Sequence, residues 1–437
     1  MKTTINKILI FTAVAAATLP TFTSCSQDES IDERLSSGAI GFAPLLNHNN
    51  TGTRSTGDAS IITGETDDKF DGFYVWGYTM TNAESSTANT IYLKRSNTEA
   101  GGVPIKKASS AGEGKGWSDA SSNNKYYGYR YEEDLKYWPK DKLEFIAIGP
   151  LSKNDDADNG SDITNLSFSS ITASRPTDNK YTFTYTAEAG DADLSKHTDI
   201  VYATARQQGT VGSTTVSLNF KHALSKVKFQ GYVGANQPGL TVIIKDITIC
   251  HVNTKGTATI EVTSDDTNTL TWSYDTDGNY ILNAGSTPVT LTASSTVSSP
   301  GTTSDLSKEV LLIPQTHNVW QSGAISTADS DKKTYLKINC VIYQVDGVPI
   351  VGTKVASGGE VTSNNVDYNY GTVYAHMVEN PESTSSLTWS AGTSYTYTLN
   401  FGVGEDENGQ VISAPITFSV SNVTDWTSPS QNENVSL

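Results

Sequence analysis

Leu143-Glu144-Phe145-Ile146-Ala147-Ile148, halted by Gly149-Pro150, is the stretch on which the fold turns. It is one of a series of short alternating runs set between turn clusters, halted here by two breakers, which is the pattern of a strand. Upstream, Phe73-Tyr74-Val75-Trp76-Gly77-Tyr78 repeats it. Downstream the series continues through Tyr181 to Tyr185, Ile200 to Ala205, Val216 to Phe220, Lys226 to Tyr232, Thr241 to Ile249 and Thr257 to Val262. Thr269 to Tyr274, Tyr280 to Asn283, Val310 to Ile313, Tyr335 to Tyr343, Tyr395 to Phe401 and Ile416 to Val420 complete it. Between these runs stand clusters of Ser, Thr, Gly and Asn, and no long apolar pattern of period 3.6 appears, so the chain reads as all-β. So many strands exceed one sandwich, and two tandem β-sandwiches of Greek-key or transthyretin-like type are expected.

The Gly/Thr/Ser-rich stretch Gln207–Ser213 is the natural cut, giving an N-terminal sandwich over 55–210 and a C-terminal sandwich over 211–437. Phe220, Val227, Phe229 and Ile249 are then expected to point inward at the start of the second. Thr81–Thr90, Ala108–Asn124 and Lys153–Ser161 are long polar inserts that read as surface loops. Pro139 suits a strand entry and Pro314 a strand end, because proline cannot donate within a ladder.

The N-terminus reads as an export signal. Lys2 and Lys7 precede an apolar run, Ile8 to Leu19, and then Thr21-Phe22-Thr23-Ser24-Cys25. A charged start, an apolar middle and small residues before a cysteine describe a lipoprotein signal peptide over 1–24, with Cys25 as the acyl acceptor. The run is too short to span a bilayer, which takes about 20 apolar residues. Several acyl chains on Cys25 hold a protein to an outer-membrane lipid surface durably, at about 0.8 kcal/mol per buried methylene. Gln27-Asp28-Glu29 and Asp32-Glu33 follow as an acidic tether.

Composition narrows the function. A net charge of −17 over 437 residues argues against nucleic acid, whose phosphates need clustered Lys and Arg, and suits an outward-facing protein. Cys250 and Cys340 are the two cysteines left after Cys25, and spacing alone leaves open whether they pair or stay as buried thiols. No nucleophile elbow of the Gly-x-Ser-x-Gly type occurs. The six histidines are scattered without metal-ligand spacing, and His222 reads as a packing histidine. Ala111-Gly112-Glu113-Gly114-Lys115-Gly116-Trp117-Ser118 lacks the hydroxyl after the lysine that a phosphate loop needs. Asp275-Thr276-Asp277-Gly278-Asn279 reads as a hairpin turn, and Asp155-Asp156-Ala157-Asp158 lacks the ligand series of a calcium loop. No cofactor, metal or enzymatic activity is therefore expected.

Landmarks in order along the chain resemble the fimbrillin family of type V pilins of Bacteroidales-like bacteria. They begin with Ala39-Ile40-Gly41-Phe42-Ala43 and Gly52-Thr53-Arg54-Ser55, then Tyr137-Trp138-Pro139 before Leu143 to Ala147. Asp199-Ile200-Val201-Tyr202-Ala203, Leu218 to Val227 and Leu312-Ile313-Pro314-Gln315 follow. Trp389-Ser390-Ala391-Gly392 and Val423-Thr424-Asp425-Trp426 close the set.

The resemblance implies a pilus structural subunit precursor, exported as a lipoprotein to the outer membrane and cell surface. It implies partners as well: other pilin subunits, an arginine-specific protease and a host protein or glycan receptor. Within 25–54 it makes Ala39 to Leu46 a removable first strand and Arg54–Ser55 the bond to be cut; Arg34 is a second arginine, but cutting there leaves the strand attached. The polar segment Asn47 to Thr53 suits protease access. Removing the strand opens a groove that an extended segment of another subunit fills. The donor is expected from the C-terminal region, where Pro415 to Val420 alternates and Asn422 to Leu437 forms a tail. The alternative is a surface adhesin or glycan-binding lipoprotein that does not polymerise, using Tyr126, Tyr127, Tyr129 and Tyr131 beside Trp117 as stacking faces.

Overall fold

Alternation of apolar and polar side chains builds strands throughout the computed structural model. It describes residues 40–46, 72–80, 91–93, 102–107, 127–129, 136–139, 141–149, 166–168, 176, 178–187, 199–209, 215–265, 267–282, 287–296, 298–402, 406–409 and 416–425. In chain order the first strands are β1 (Gly41–Leu46), β2 (Gly72–Met80), β3 (Ile91–Leu93), β4 (Val103–Lys107), β5 (Tyr127–Tyr129), β6 (Lys142–Gly149) and β7 (Leu166–Phe168). Then come β8 (Lys180–Thr186), β9 (Val201–Gln207), β10 (Thr215–His222), β11 (Ser225–Val233), β12 (Thr241–Val262) and β13 (Asn268–Leu282). Later strands are named by their residues. One short helix, Ile325–Ser330, stands among the described residues. The chain is all-β.

The first sheet has the order β1-β10-β9-β6-β2-β4-β5, with β3 on β2. The unbroken apolar run of β6 is explained by its central place: both faces of the sheet are covered. Leu143, Phe145 and Ala147 join one apolar cluster with Phe42, Phe73, Val201, Ala203 and Phe220. Ile146 and Ile148, on the opposite face, join the large cluster that also holds Tyr78, Tyr181, Phe183 and Tyr185.

A second sheet runs Ser304–Asp305, β11, Thr393–Phe401, Thr417–Asp425, and a third is organised on β12. Along its 22 residues β12 pairs with β13, with β8 at its far end, and with Val289–Thr292 and Tyr335–Tyr343 at its near end. Val227 and Phe229 from the second sheet and Val242, Ile244, Ile338 and Ile342 from the third share the large cluster, so these sheets face each other across one core.

Three expectations change on the strands. β10 pairs with β1 and β9, so the first sheet extends to His222, beyond Gln207–Ser213, while β7 and β8 from within 55–210 belong to the third sheet beside β12. Phe220 accordingly packs on Phe73 (ring centroids 5.1 Å) in the first sheet's cluster, while Val227, Phe229 and Ile249 enter the large one. The hairpin turn at Asp275–Asn279 is instead the middle of β13. β12 absorbs the irregularity there, with register shifts at Cys250/Val252 and Asn253/Lys255, and His251 takes φ 56°. Cys250 lies opposite Tyr335 and Cys340 opposite Ile244, so the two thiols sit several rungs apart, free and buried.

Candidate functional site

β1 is held at the edge of the first sheet by its own alternation. Ile40 and Phe42, two apart, face the same way and are both fully buried. The Phe42 ring stands edge-on to Phe73 at 6.2 Å and to Phe145 at 5.5 Å, and Phe145 meets Trp138 at 5.8 Å. Val216, Leu218 and Phe220 of β10 supply the flanking wall. Burying a phenylalanine of this kind contributes about 1.5–3 kcal/mol, with a further 0.5–1.5 kcal/mol from each edge-on aromatic pair.

The backbone completes the seat. β1 runs parallel to β10 from Gly41↔Thr215 to Leu46↔Phe220. On the other side the Ile40 N–H donates to the Lys136 carbonyl at 2.8 Å. N–H groups of successive strand residues alternate in direction, so Ile40, Phe42 and Pro44 share the side away from β10. Pro44 thus removes a donor from the outer edge, leaving the ladder with β10 intact. Without β1 the site is an apolar trough with one unpaired strand edge, a receptor for an extended peptide.

The opposite face of the first sheet is polar at one corner. Glu144, fully buried in the apolar run of β6, accepts from Arg206 Nε at 2.6 Å and from the Tyr181 hydroxyl. A buried carboxylate requires such partners, and removing one costs about 3–5 kcal/mol. Asp199 and His222, also buried, meet at 2.6 Å. Sequence reading placed His222 in packing but missed its carboxylate partner and the Glu144 group, whose signal was Glu144 itself, the single charge inside an apolar run.

Elsewhere the histidines and thiols are placed for packing. His317 stands edge-on to Trp389 at 4.2 Å, and burial pushes its pKa down to about 3. His251 lies between the carboxylates of Asp277 and Asp329, each at 3.1 Å. Burial raises the Cys250 thiol to about 11 and the Cys340 thiol still further, which holds both in the unreactive protonated form. Among the described residues no three His, Cys, Asp or Glu side chains gather to hold a metal, and no helix is long and apolar enough to cross a membrane. Cys25, Arg34, Arg54 and Ser55 lie outside the described residues, as do the side chains of Tyr126, Tyr127, Tyr129, Tyr131 and Trp117. Thr417–Asp425, expected as part of a donor, is the last strand of its sheet and pairs antiparallel with Thr393–Phe401.

A family model described as fimbrillin-like matches residues 53–426. The matched span begins after β1, so it rests on the body of the chain. A crystal structure of a fimbrial protein from Bacteroides vulgatus is similar at 16% identity, covering 89% of this chain and 99% of that one, with a TM-score of 0.43. A candidate cell adhesion protein from Bacteroides uniformis aligns at 14% identity over 90% of this chain and 100% of its own, TM-score 0.37. Another from Bacteroides ovatus aligns at 10% identity over 90% and 99%, TM-score 0.40. No curated protein matches the chain.

Proposed function

The chain belongs to the fimbrillin-like family, with the fimbrial and adhesive surface role that membership carries, and on that premise we propose that it is a pilus subunit precursor assembled by strand exchange. The observation that carries the reading is β1: an edge strand whose Ile40 and Phe42 fill an apolar trough that its departure opens. While covalently attached, β1 stays docked because its effective concentration at the trough is high. Cutting Arg54–Ser55 makes it a separate peptide, free to diffuse away once it undocks.

An extended strand from another copy then takes its place. We assign the donor to the C-terminal strand, because Ile416 and Phe418 repeat the spacing of Ile40 and Phe42. Export as a lipoprotein through Cys25 brings the precursor to the outer membrane, where an arginine-specific protease reaches the polar segment 47–54. The adhesin reading is the competitor.

Treating purified full-length protein with a trypsin-like protease tests the proposal. Wild type is expected to form SDS-resistant ladders, while Arg54→Ala folds normally and stays monomeric. Mass spectrometry of surface material reads both ends, with acylated Cys25 on the precursor and Ser55 as the mature N-terminus. Ladders from Arg54→Ala remove Arg54 as the trigger. Cleaved wild type that never polymerises, even with partner subunits supplied, hands the function to the adhesin reading.

A further inference from the structure

The first sheet is gripped from behind as well as filled from the front. The grip is the turn joining β12 to β13, Val262–Asn268, which reaches across three adjacent strands. Lys142 of β6 donates to both carboxylate oxygens of Asp265, at 2.7 and 2.6 Å. Arg206 of β9 gives its backbone N–H to the Asp265 carbonyl and a guanidinium N–H to the Val262 carbonyl, each at 3.2 Å. Asn268 donates to Thr204 Oγ1 of β9 at 2.7 Å and accepts from Lys221 Nζ of β10 at 3.0 Å. The Lys221 ammonium sits in partly dry surroundings, where burial lowers its pKa.

These strands are the trough. β10, β9 and β6 are neighbours in the sheet, and successive side chains of each point to opposite faces. Lys221 is one residue from Phe220, Thr204 lies between Ala203 and Ala205, and Lys142 and Glu144 flank Leu143. All of those apolar neighbours belong to the cluster that receives Phe42. A displacement of the gripped face therefore moves the lining of the trough, because a close-packed sheet transmits strain.

We propose that the Val262–Asn268 turn is a positioning element for the strand-binding trough, fixing how β6, β9 and β10 lie relative to one another and hence how tightly any strand is held. Asn268 and Asp265 are its positioning residues. The inference adds regulation to the site proposed above, yet its content concerns β1 docking, which exists whether or not exchange follows.

Hydrogen exchange on the full chain, read at the amides of Gly41–Leu46, separates this from a plain tie between sheets. Asn268→Ala is expected to speed exchange in β1 about tenfold, the effect of losing hydrogen bonds to a charged partner, with the β11 and Tyr335–Tyr343 amides unchanged. Asn268→Asp restores protection, since its carboxylate still accepts from Lys221 and takes the Thr204 hydroxyl as donor. Asp265→Ala, at an exposed position, gives a smaller change of the same sign and serves if Asn268→Ala does not fold. Unchanged β1 exchange in both alanine variants, with faster exchange confined to Val262–Asn268, overturns the proposal in favour of a tie. Acceleration spread evenly over β11 and β12 overturns it in favour of general stability. Polymerisation does not enter the readout, so failure of strand exchange and failure of positioning are told apart.

Discussion

β1 and β12 are both lined with buried apolar side chains, yet they stand at opposite extremes of commitment to the fold. β12 spans 22 residues and is bonded to four other strands along its length. β1 spans six, has one strand partner and relies on Ile40 and Phe42 for its described packing. Both segments are equally dry at these positions, so burial alone does not distinguish scaffold from removable part. What differs is how many neighbours must be broken at once. Leaving costs β12 the third sheet; among the described residues it costs β1 one ladder, the Ile40–Lys136 hydrogen bond and the burial of Ile40 and Phe42.

Truncation exposes the difference most strongly. Ile247, fully buried on β12 between Ile338 and Leu282, should cost about 2–5 kcal/mol as Ile247→Ala, seen as a lower midpoint of global urea unfolding. Phe42→Ala deletes a larger side chain, but its cost is capped by the free energy of undocking β1. The expected result is nearly unchanged global unfolding with loss of amide protection confined to Gly41–Leu46. A midpoint shift for Phe42→Ala as large as that for Ile247→Ala would erase the distinction, making β1 an integral strand.

The sequence anticipated these roles unevenly, for physical reasons. β6 was readable as a short apolar run closed by Gly149-Pro150, and β1 through the resemblance that singles out Ala39 to Leu46. β12 was not readable as one strand: Asn253-Thr254-Lys255-Gly256 looks like a break, and only pairing to β13 and β8 carries the strand through it. Asp277-Gly278 looked like a turn for the same reason, since a bulge and a turn use the same residue types. β10 was assigned to the wrong neighbours because alternation reveals a strand without its partner. Of the candidate site, the apolar trough was legible in outline. The grip by Asp265 and Asn268 was invisible, since polar residues near a turn carry no mark of a contact so distant in sequence.

Acid should act on the surroundings of β12 before it acts on the apolar seat of β1. His317 lies beside Thr334, whose hydroxyl donates to the His251 carbonyl of β12. Its folded pKa of about 3 is below the ordinary 6.5 of an unfolded imidazole. Between those values the unfolded chain binds a proton that the folded one refuses, so stability is full above about pH 6.5 and falls as the pH drops toward 3. The slope is at most about 1.4 kcal/mol per pH unit. Unfolding midpoints measured from pH 7 to 4 should show it, and His317→Phe should flatten it. An equal slope in that variant would place the acid sensitivity elsewhere.

The smallest effect expected belongs to Pro44, and it decides what kind of edge β1 is. A proline within a strand ordinarily weakens it by removing a ladder donor. In the structure the Ile40 N–H points to Lys136, so the Pro44 nitrogen lies on that outer side and the pairing with β10 loses nothing. Pro44→Ala should therefore leave β1 protection and global unfolding within about 0.5 kcal/mol of the parent, the ordinary range for an uninvolved site. It should nonetheless restore a free N–H on the open edge, where proline guards against strand addition by another chain. The variant is expected to self-associate more readily at high concentration without any protease, measurable by light scattering on uncleaved protein. Tighter β1 docking with no change in association would mean that the proline does limit the ladder. In that event the looseness of β1 would be written into its own backbone, and the trough would owe less to the cut at Arg54.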